Sequence, residues 1–302
     1  MTTMRQRFYE LAARALEDDE RVALVLAEIG VSELPAHPRA FNVGIREQLM
    51  IGVAAGLAFE GLRPVVHSYA PFLVERPYEQ VKLDLGHQDV GAVLVSTGAS
   101  YDSARSGRTH QAPADVALLS ALPGWTIHVP GHPDELERAL RRALASDDRV
   151  YIRMSEESNR EPIVADGLEL LRRGSDEAPV VIAVGPAADE TLAATEDLDA
   201  TVAYLTTVRP FDATGLRALL RGTEVVLVEP YLAGTSAGAL SAALADRPHR
   251  LLSLGVQNVE LRRYGTGREH RAAHGLDAAG IRRSIERFLS AAGRAASRLA
   301  AA

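Results

Sequence analysis

One acid stands out by its setting. In Phe41-Asn42-Val43-Gly44-Ile45-Arg46-Glu47-Gln48, a hinge at Gly44 delivers the carboxylate of Glu47 onto the start of a helix expected from Arg46 to about Phe59. That helix is almost uncharged: Leu49, Met50, Ile51, Val53, Ala54, Ala55, Leu57 and Ala58 surround Gly52 and Gly56. A helix apolar on most faces is a buried one. Glycine inside a helix costs about 1 kcal/mol relative to alanine, so the pair predicts close packing against another backbone. An acid so placed is poorly hydrated and can share a proton with a ligand. Read locally, it serves equally to cap or salt-bridge the helix start. Aromatic residues make up 5% of the chain, yet Tyr69, Phe72 and Tyr78 fall within ten positions. They form either a binding wall or ordinary core. His110, in Thr109-His110-Gln111, closes a polar loop of glycines and serines from Gly98 to Arg108, the composition of a mobile site loop. The other histidines, His37, His67, His87, His128, His132, His249, His270 and His274, lie in no such pattern.

These residues need a scaffold, and the chain supplies alternating strands and helices. Strands are predicted at Arg21–Leu26, Arg63–His67, Gly91–Thr97, Trp125–Val129 and Val150–Met154, with helices from Met4, Arg46, Pro113 and Pro133 and another after Phe72. Such alternation is the signature of an α/β fold on a mainly parallel sheet. Ala27-Glu28-Ile29-Gly30 follows the first strand at its C-terminal end, where parallel sheets bind ligands. From Glu156 to about Ala178 the sequence turns charged and poorly periodic, with Pro162, Gly167 and Gly174. A first domain at 1–158, a linker at 159–178, a second α/β domain at 179–292 and a frayed tail at 293–302 follow. Strands of the second domain are expected at Val180–Val184, Thr201–Leu205, Glu224–Val228 and Arg250–Leu254.

The segment FNVGIREQLMIGVAAGLAFEG resembles the pyrimidine-binding domain of transketolases. The resemblance implies that Glu47 bonds the N1′ nitrogen of the thiamine diphosphate aminopyrimidine and promotes the tautomer that activates the thiazolium. It implies further that Phe72 stacks on the pyrimidine, with Tyr69 and Tyr78 as wall residues and Glu28 as an acid near the cofactor. His110 would meet the donor sugar's first hydroxyl and assist proton transfer. Arg209-Pro210-Phe211-Asp212, the Glu229 to Leu240 turn and helix, Tyr264-Gly-Thr-Gly267 and Gly275-Leu276-Asp277 are similar to the family's C-terminal domain, which mainly builds the dimer.

The family anchors the diphosphate and Mg2+ through a Gly-Asp-Gly motif and a later asparagine. This sequence has no Gly-Asp-Gly, and Asp166-Gly167 is the nearest fragment. The resemblance thus implies the small subunit of a split transketolase: a large partner subunit holds diphosphate and metal, the two form an α2β2 heterotetramer, and no metal ligand lies on this chain. Three family positions that meet the substrate fall here on Gly98, Ser106 and Glu156, which weakens phosphate recognition; Arg105, Arg108 and Arg153 are the substitutes available. The resemblance also allows a deoxyxylulose phosphate synthase-like subunit, a subunit like the beta chain of 2-oxo acid dehydrogenases, or a non-catalytic scaffold. Thr109-His110-Gln111 with Gly44-Ile45-Arg46-Glu47-Gln48 favours ketol transfer between sugars, in central or specialised metabolism.

The bulk properties agree. Of 302 residues 47% are hydrophobic, enough for two cores. A net charge of −7 argues against a nucleic-acid surface, and the absence of cysteine excludes disulfides and thiolate metal sites. The first twenty residues are too charged for a signal peptide, and no apolar run reaches about 18 residues. A cytoplasmic protein acting away from membranes is the expectation.

Overall fold

The computed structural model describes the backbone of residues 2–300 and the side chains of residues 2–291. The strands are β1 (Val22–Leu26), β2 (Ala40–Asn42), β3 (Arg63–Tyr69), β4 (Val93–Thr97), β5 (Trp125–His128), β6 (Arg149–Arg153), β7 (Leu168–Arg172), β8 (Val180–Val184), β9 (Thr201–Leu205), β10 (Thr207–Arg209), β11 (Glu224–Leu232) and β12 (Arg250–Val256). β1, β8 and β9 are buried at every position, which is why their sequences run apolar without alternation. Two sheets result, a seven-stranded one in the order β10-β5-β6-β4-β3-β1-β2 and a five-stranded one in the order β12-β11-β8-β9-β7. All pairings are parallel except β10 on β5 and β7 on β9. The expected α/β class with mainly parallel sheets flanked by helices is the class observed.

Helices form where the sequence supplies their ends. Thr3 and Gln6 make a reciprocal capping box at the start of Met4–Asp18. Pro133 occupies the first turn of Pro133–Leu144, and the Asp212 carboxylate accepts from the Gly215 amide at 2.8 Å ahead of Ala213–Leu219. Met4–Asp18 packs one face of the first sheet through Phe8, Leu11 and Leu16, beside Leu136 and Leu140. Met50, Ile51, Ala54 and Ala55 of the helix Glu47–Phe59 fill the opposite face.

Three strands lie outside the expected set. β7 falls within the stretch expected to be a linker, and β2 and β10 are three residues each. β10 belongs by sequence to the second half but completes the edge of the first sheet, Thr207 opposite His128 and Arg209 opposite Ile127. The expected helix after Phe72 is broken into wide turns at Pro71–Glu75 and Val81–His87 around Pro77, which has no amide hydrogen to give. The final helix runs Ala278–Ala300; the tail expected at 293–302 lies outside the residues whose side chains are described. No helix among the described residues is long and apolar enough to cross a membrane.

Candidate active site

Because β1, β2, β3 and β4 run parallel and adjacent, the loops that leave their C-terminal ends emerge along one edge. That edge receives Glu28 after β1, Glu47 after β2, Tyr69 and Phe72 at the end of β3, and the 98–110 loop after β4. Sequence positions spread over more than eighty residues therefore converge because of sheet order alone.

Glu47 opens its helix and is 2% exposed. Gly44, at φ +71°, makes the turn that brings it there, and the Gly44 amide is held by Asn42 Oδ1 at 3.1 Å. The carboxylate Oε1 accepts from Arg76 Nη1 at 2.6 Å, and no second protein donor reaches the carboxylate among the described residues. The Arg76 guanidinium carbon lies 4.1 Å from the centre of the Phe72 ring. Phe72 in turn meets the His110 ring at 5.0 Å and 70°, and Tyr69 meets both, at 6.0 Å from Phe72 and 5.4 Å from His110. These edge-on arrangements are the favourable geometry for aromatic rings. His110 Nδ1 is paired with Thr109 Oγ1 at 2.9 Å, so Thr109 orients the ring and leaves Nε2 without a partner among the described residues. Glu47, Phe72, Tyr69 and His110 thus form one contiguous group, joined by Arg76, a residue that the sequence did not single out. Its spacing of four from Phe72 on a helical turn was the available signal.

Other expected site residues lie elsewhere or do other work. Tyr78 packs against the core and donates its hydroxyl to the Leu118 carbonyl at 3.0 Å, which tethers it to the helix Asp115–Ser120. Glu28 is exposed at φ +67° and accepts from Asn42 Nδ2 at 2.9 Å. It sits on the same edge, and among the described residues its side-chain hydrogen bond goes to Asn42 and not to the aromatic group. Arg153, expected as a substitute phosphate ligand, is 1% exposed and committed to a buried network. Its Nε donates to Asp115 at 2.7 Å and its Nη2 to Ser100 at 2.7 Å. Arg105 and Ser106 are exposed in a short turn, and Arg108 pairs with Glu260 at 3.3 Å across a cleft towards the second domain. Of the three cations, then, Arg105 and Arg108 face solvent and Arg153 does not.

Gly98 explains one departure. At φ +68°, a side-chain carbon there would lie 2.4 Å from the Tyr69 ring. Tyr69 has taken the space that a larger residue would need. Beyond it, Asp102 accepts from Ser155 Oγ at 3.1 Å and from the Glu156 amide at 2.9 Å, and burial pushes its carboxyl up to about 7. These contacts, invisible in the sequence, pin the loop to the end of β6.

The pyrimidine-binding domain of transketolase matches residues 2–162, more than half of the chain. The chain belongs to the transketolase family. A 33.6 kDa uncharacterized protein in the fasciation locus of Rhodococcoides fascians is 50% identical over 297 residues, 95% of each protein. The 1-deoxy-D-xylulose-5-phosphate synthase of Leptothrix cholodnii is 35% identical over 84% of this chain, which spans only 42% of that enzyme. The 6-deoxy-6-sulfo-D-fructose transketolase subunit SqwH of Clostridium sp. strain MSTE9 is 28% identical over 84% of this chain and 85% of that subunit. Among solved structures, a split gene transketolase described as an inactive beta4 tetramer superposes with a TM-score of 0.80 at 22% identity, covering 95% of this chain and 98% of that one. The transketolase family member described here therefore corresponds to the C-terminal half of the full-length enzymes.

The fit of the family's cofactor can be tested on the donor set. A buried carboxylate beside an open-edged aromatic ring suits the hydrogen-bonding edge and face of an aminopyrimidine. A diphosphate with its metal needs hard oxygen ligands, and no group of three or more His, Asp or Glu side chains able to hold a metal exists among the described residues.

Proposed function

We propose that this chain is the smaller subunit of a two-chain, thiamine diphosphate-dependent transketolase that moves a two-carbon ketol unit from a ketose to an aldehyde. The observation that carries the reading is the buried Glu47 carboxylate in one contact group with Phe72 and His110. Bound at this edge, the cofactor supplies the electron sink that lets a carbon–carbon bond next to a carbonyl break. Glu47 would hold the pyrimidine ring nitrogen and Phe72 would offer its face. His110 Nε2, kept free by Thr109, would exchange a proton with the donor's hydroxyl. Tyr69 closes the wall, and Glu28 stands by on the same edge.

Diphosphate and Mg2+ are assigned to a large partner subunit, in an α2β2 assembly. Two features support a partner. The helix Glu47–Phe59 is buried on one side only: Leu49 is 49% and Phe59 59% exposed, Ile45 just ahead of it is 72% exposed, and a side-chain carbon at Gly56 would meet nothing within 4 Å. A side-chain carbon at Gly52 would meet only the Asp84 carboxylate at 3.7 Å, so the close backbone packing that Gly52 and Gly56 foretell is not met among the described residues, and the bare face suits another chain. Second, the chain matches proteins of its own size named as a transketolase subunit and a split gene transketolase.

The test is reconstitution with a second polypeptide that carries Gly-Asp-Gly. Ketol transfer should appear only with both chains and cofactor, and Glu47→Gln should reduce it by at least roughly 100-fold. Full turnover by this chain alone, or an unimpaired Glu47→Gln complex, sinks the reading. The 35% identity to a deoxyxylulose phosphate synthase favours one second reading, in which the donor is a 2-oxo acid. Release of carbon dioxide from pyruvate, in place of an aldose from a ketose, decides for it.

A further inference from the structure

The two features that make the edge fit an aminopyrimidine are both already in use. Arg76 Nη1 sits 2.6 Å from Glu47 Oε1, and the same guanidinium lies over the Phe72 ring at 4.1 Å. A guanidinium is flat, cationic and edged with N–H donors. It therefore satisfies an acid and an aromatic face in the way a flat nitrogen heterocycle does. We propose that Arg76 is a displaceable placeholder, whose guanidinium occupies the carboxylate and the ring face until the aminopyrimidine takes them over. The proposal rests on the reading of Glu47 and Phe72 given above and adds a competitor internal to the chain.

Three observations support displacement rather than a fixed role. Arg76 is 39% exposed on its side chain while Glu47 is 3%, so the cation can swing into water and the acid cannot. Glu47 is the only hydrogen-bonding partner of the Arg76 side chain among the described residues. The Arg76 backbone, in contrast, is fixed: its amide donates to the Pro71 carbonyl at 3.0 Å and its carbonyl accepts from Gln48 Nε2 at 3.2 Å. A side chain on a fixed pivot with one releasable partner is a hinge for a single group. The placeholder also has a purpose in the lone chain, since a carboxylate buried without a counter-charge is strongly unfavourable.

Thiamine, which has the pyrimidine but no diphosphate, is the probe. It is titrated into the full chain by calorimetry, with the Arg76 Nε–H resonance followed in parallel by NMR. In Arg76→Met the competitor for the Glu47 carboxylate is gone, and thiamine should bind about tenfold more tightly, equivalent to about 1.4 kcal/mol. In the wild type, thiamine should free the Arg76 guanidinium and speed its proton exchange. Arg76→Gln serves the same comparison if the methionine variant folds poorly. Equal or weaker binding by both variants, or an Arg76 resonance unmoved by thiamine, overturns the proposal. A Glu47→Gln, Arg76→Met double variant separates the two ideas. If it binds as tightly as Arg76→Met, Glu47 is no ligand and the functional reading fails; if it loses binding, the functional reading stands whatever the single variant shows.

Discussion

Replacing Arg153 by methionine distinguishes a structural cation from a substrate ligand. Arg153 and Asp115 are 1% and 0% exposed on their side chains and meet at 2.7 Å. The substitution leaves Asp115 with the Tyr151 hydroxyl at 2.7 Å and the Val116 amide at 2.9 Å, but with no counter-charge. It also takes away the donor to Ser100 Oγ, which keeps its own bond to the Pro230 carbonyl at 2.6 Å, and removes a cation 5.5 Å from the Tyr231 ring. Breaking a buried pair from one side costs about 3–5 kcal/mol, against a total of roughly 5–15 kcal/mol for a typical domain. The urea midpoint of the isolated chain should fall accordingly with its slope unchanged. Arg153→Met, Asp115→Leu together should cost less than the sum of the single changes, because the buried charge leaves with its partner. An Arg153→Met chain of undiminished stability, with a raised KM for phosphorylated substrate alone, would refute the structural role and restore Arg153 to the substrate.

Other consequences are open to measurement. Tyr78→Phe removes one hydroxyl-to-carbonyl bond to Leu118 and should cost about 1 kcal/mol in denaturation without changing cofactor affinity; a change in affinity would return Tyr78 to the site wall. Gly56→Leu meets open space and should leave the lone chain as stable or up to about 1 kcal/mol more so, while preventing assembly in sedimentation; normal assembly would move the partner to another face. His67 is fully buried, donates through Nδ1 to the Val95 carbonyl at 2.8 Å, and is pushed down to about 4 by burial. The unfolded chain then binds the extra proton between about pH 6.5 and 4, so this contribution is complete above pH 6.5 and is lost as the pH falls through that window. His67→Gln should flatten the pH dependence of the urea midpoint there, and an unchanged slope would contradict it.

The interior of the fold was legible in the chain, and its edges were not. Strands such as Val22–Leu26 and Thr201–Leu205 are covered on both faces and spell this out in unbroken apolar runs. β2, β7 and β10 all lie at sheet edges, where one side of the strand meets no neighbour and mixed residues suffice. Leu168–Arg172, with a glutamate and an arginine in five residues, has no period to detect. The site divides in a similar way. A single acid before an apolar helix marked Glu47 as a candidate, and local composition marked Phe72, Tyr69 and His110, which the fold brings together. Arg76 and Asp102 did not, because their meaning lies in partners 29 and 54 positions away that only the folded chain brings near. Arg153 misled for the same reason: a lone cation at the end of a strand looks free until Asp115 is seen behind it.

The strand Thr207–Arg209 has a practical implication for anyone cutting the gene. A fragment ending near residue 162, where the pyrimidine-domain match stops, would omit these three residues and bare the hydrogen-bonding flank of Trp125–His128. An uncapped flank of that kind recruits neighbouring molecules. Expression of the front portion by itself should yield insoluble material, whereas a tethered copy of Thr207–Arg209 should return it to solution. The two lobes are thus stitched by a borrowed ribbon, and modular swapping between relatives has to carry that ribbon along with the lobe it completes.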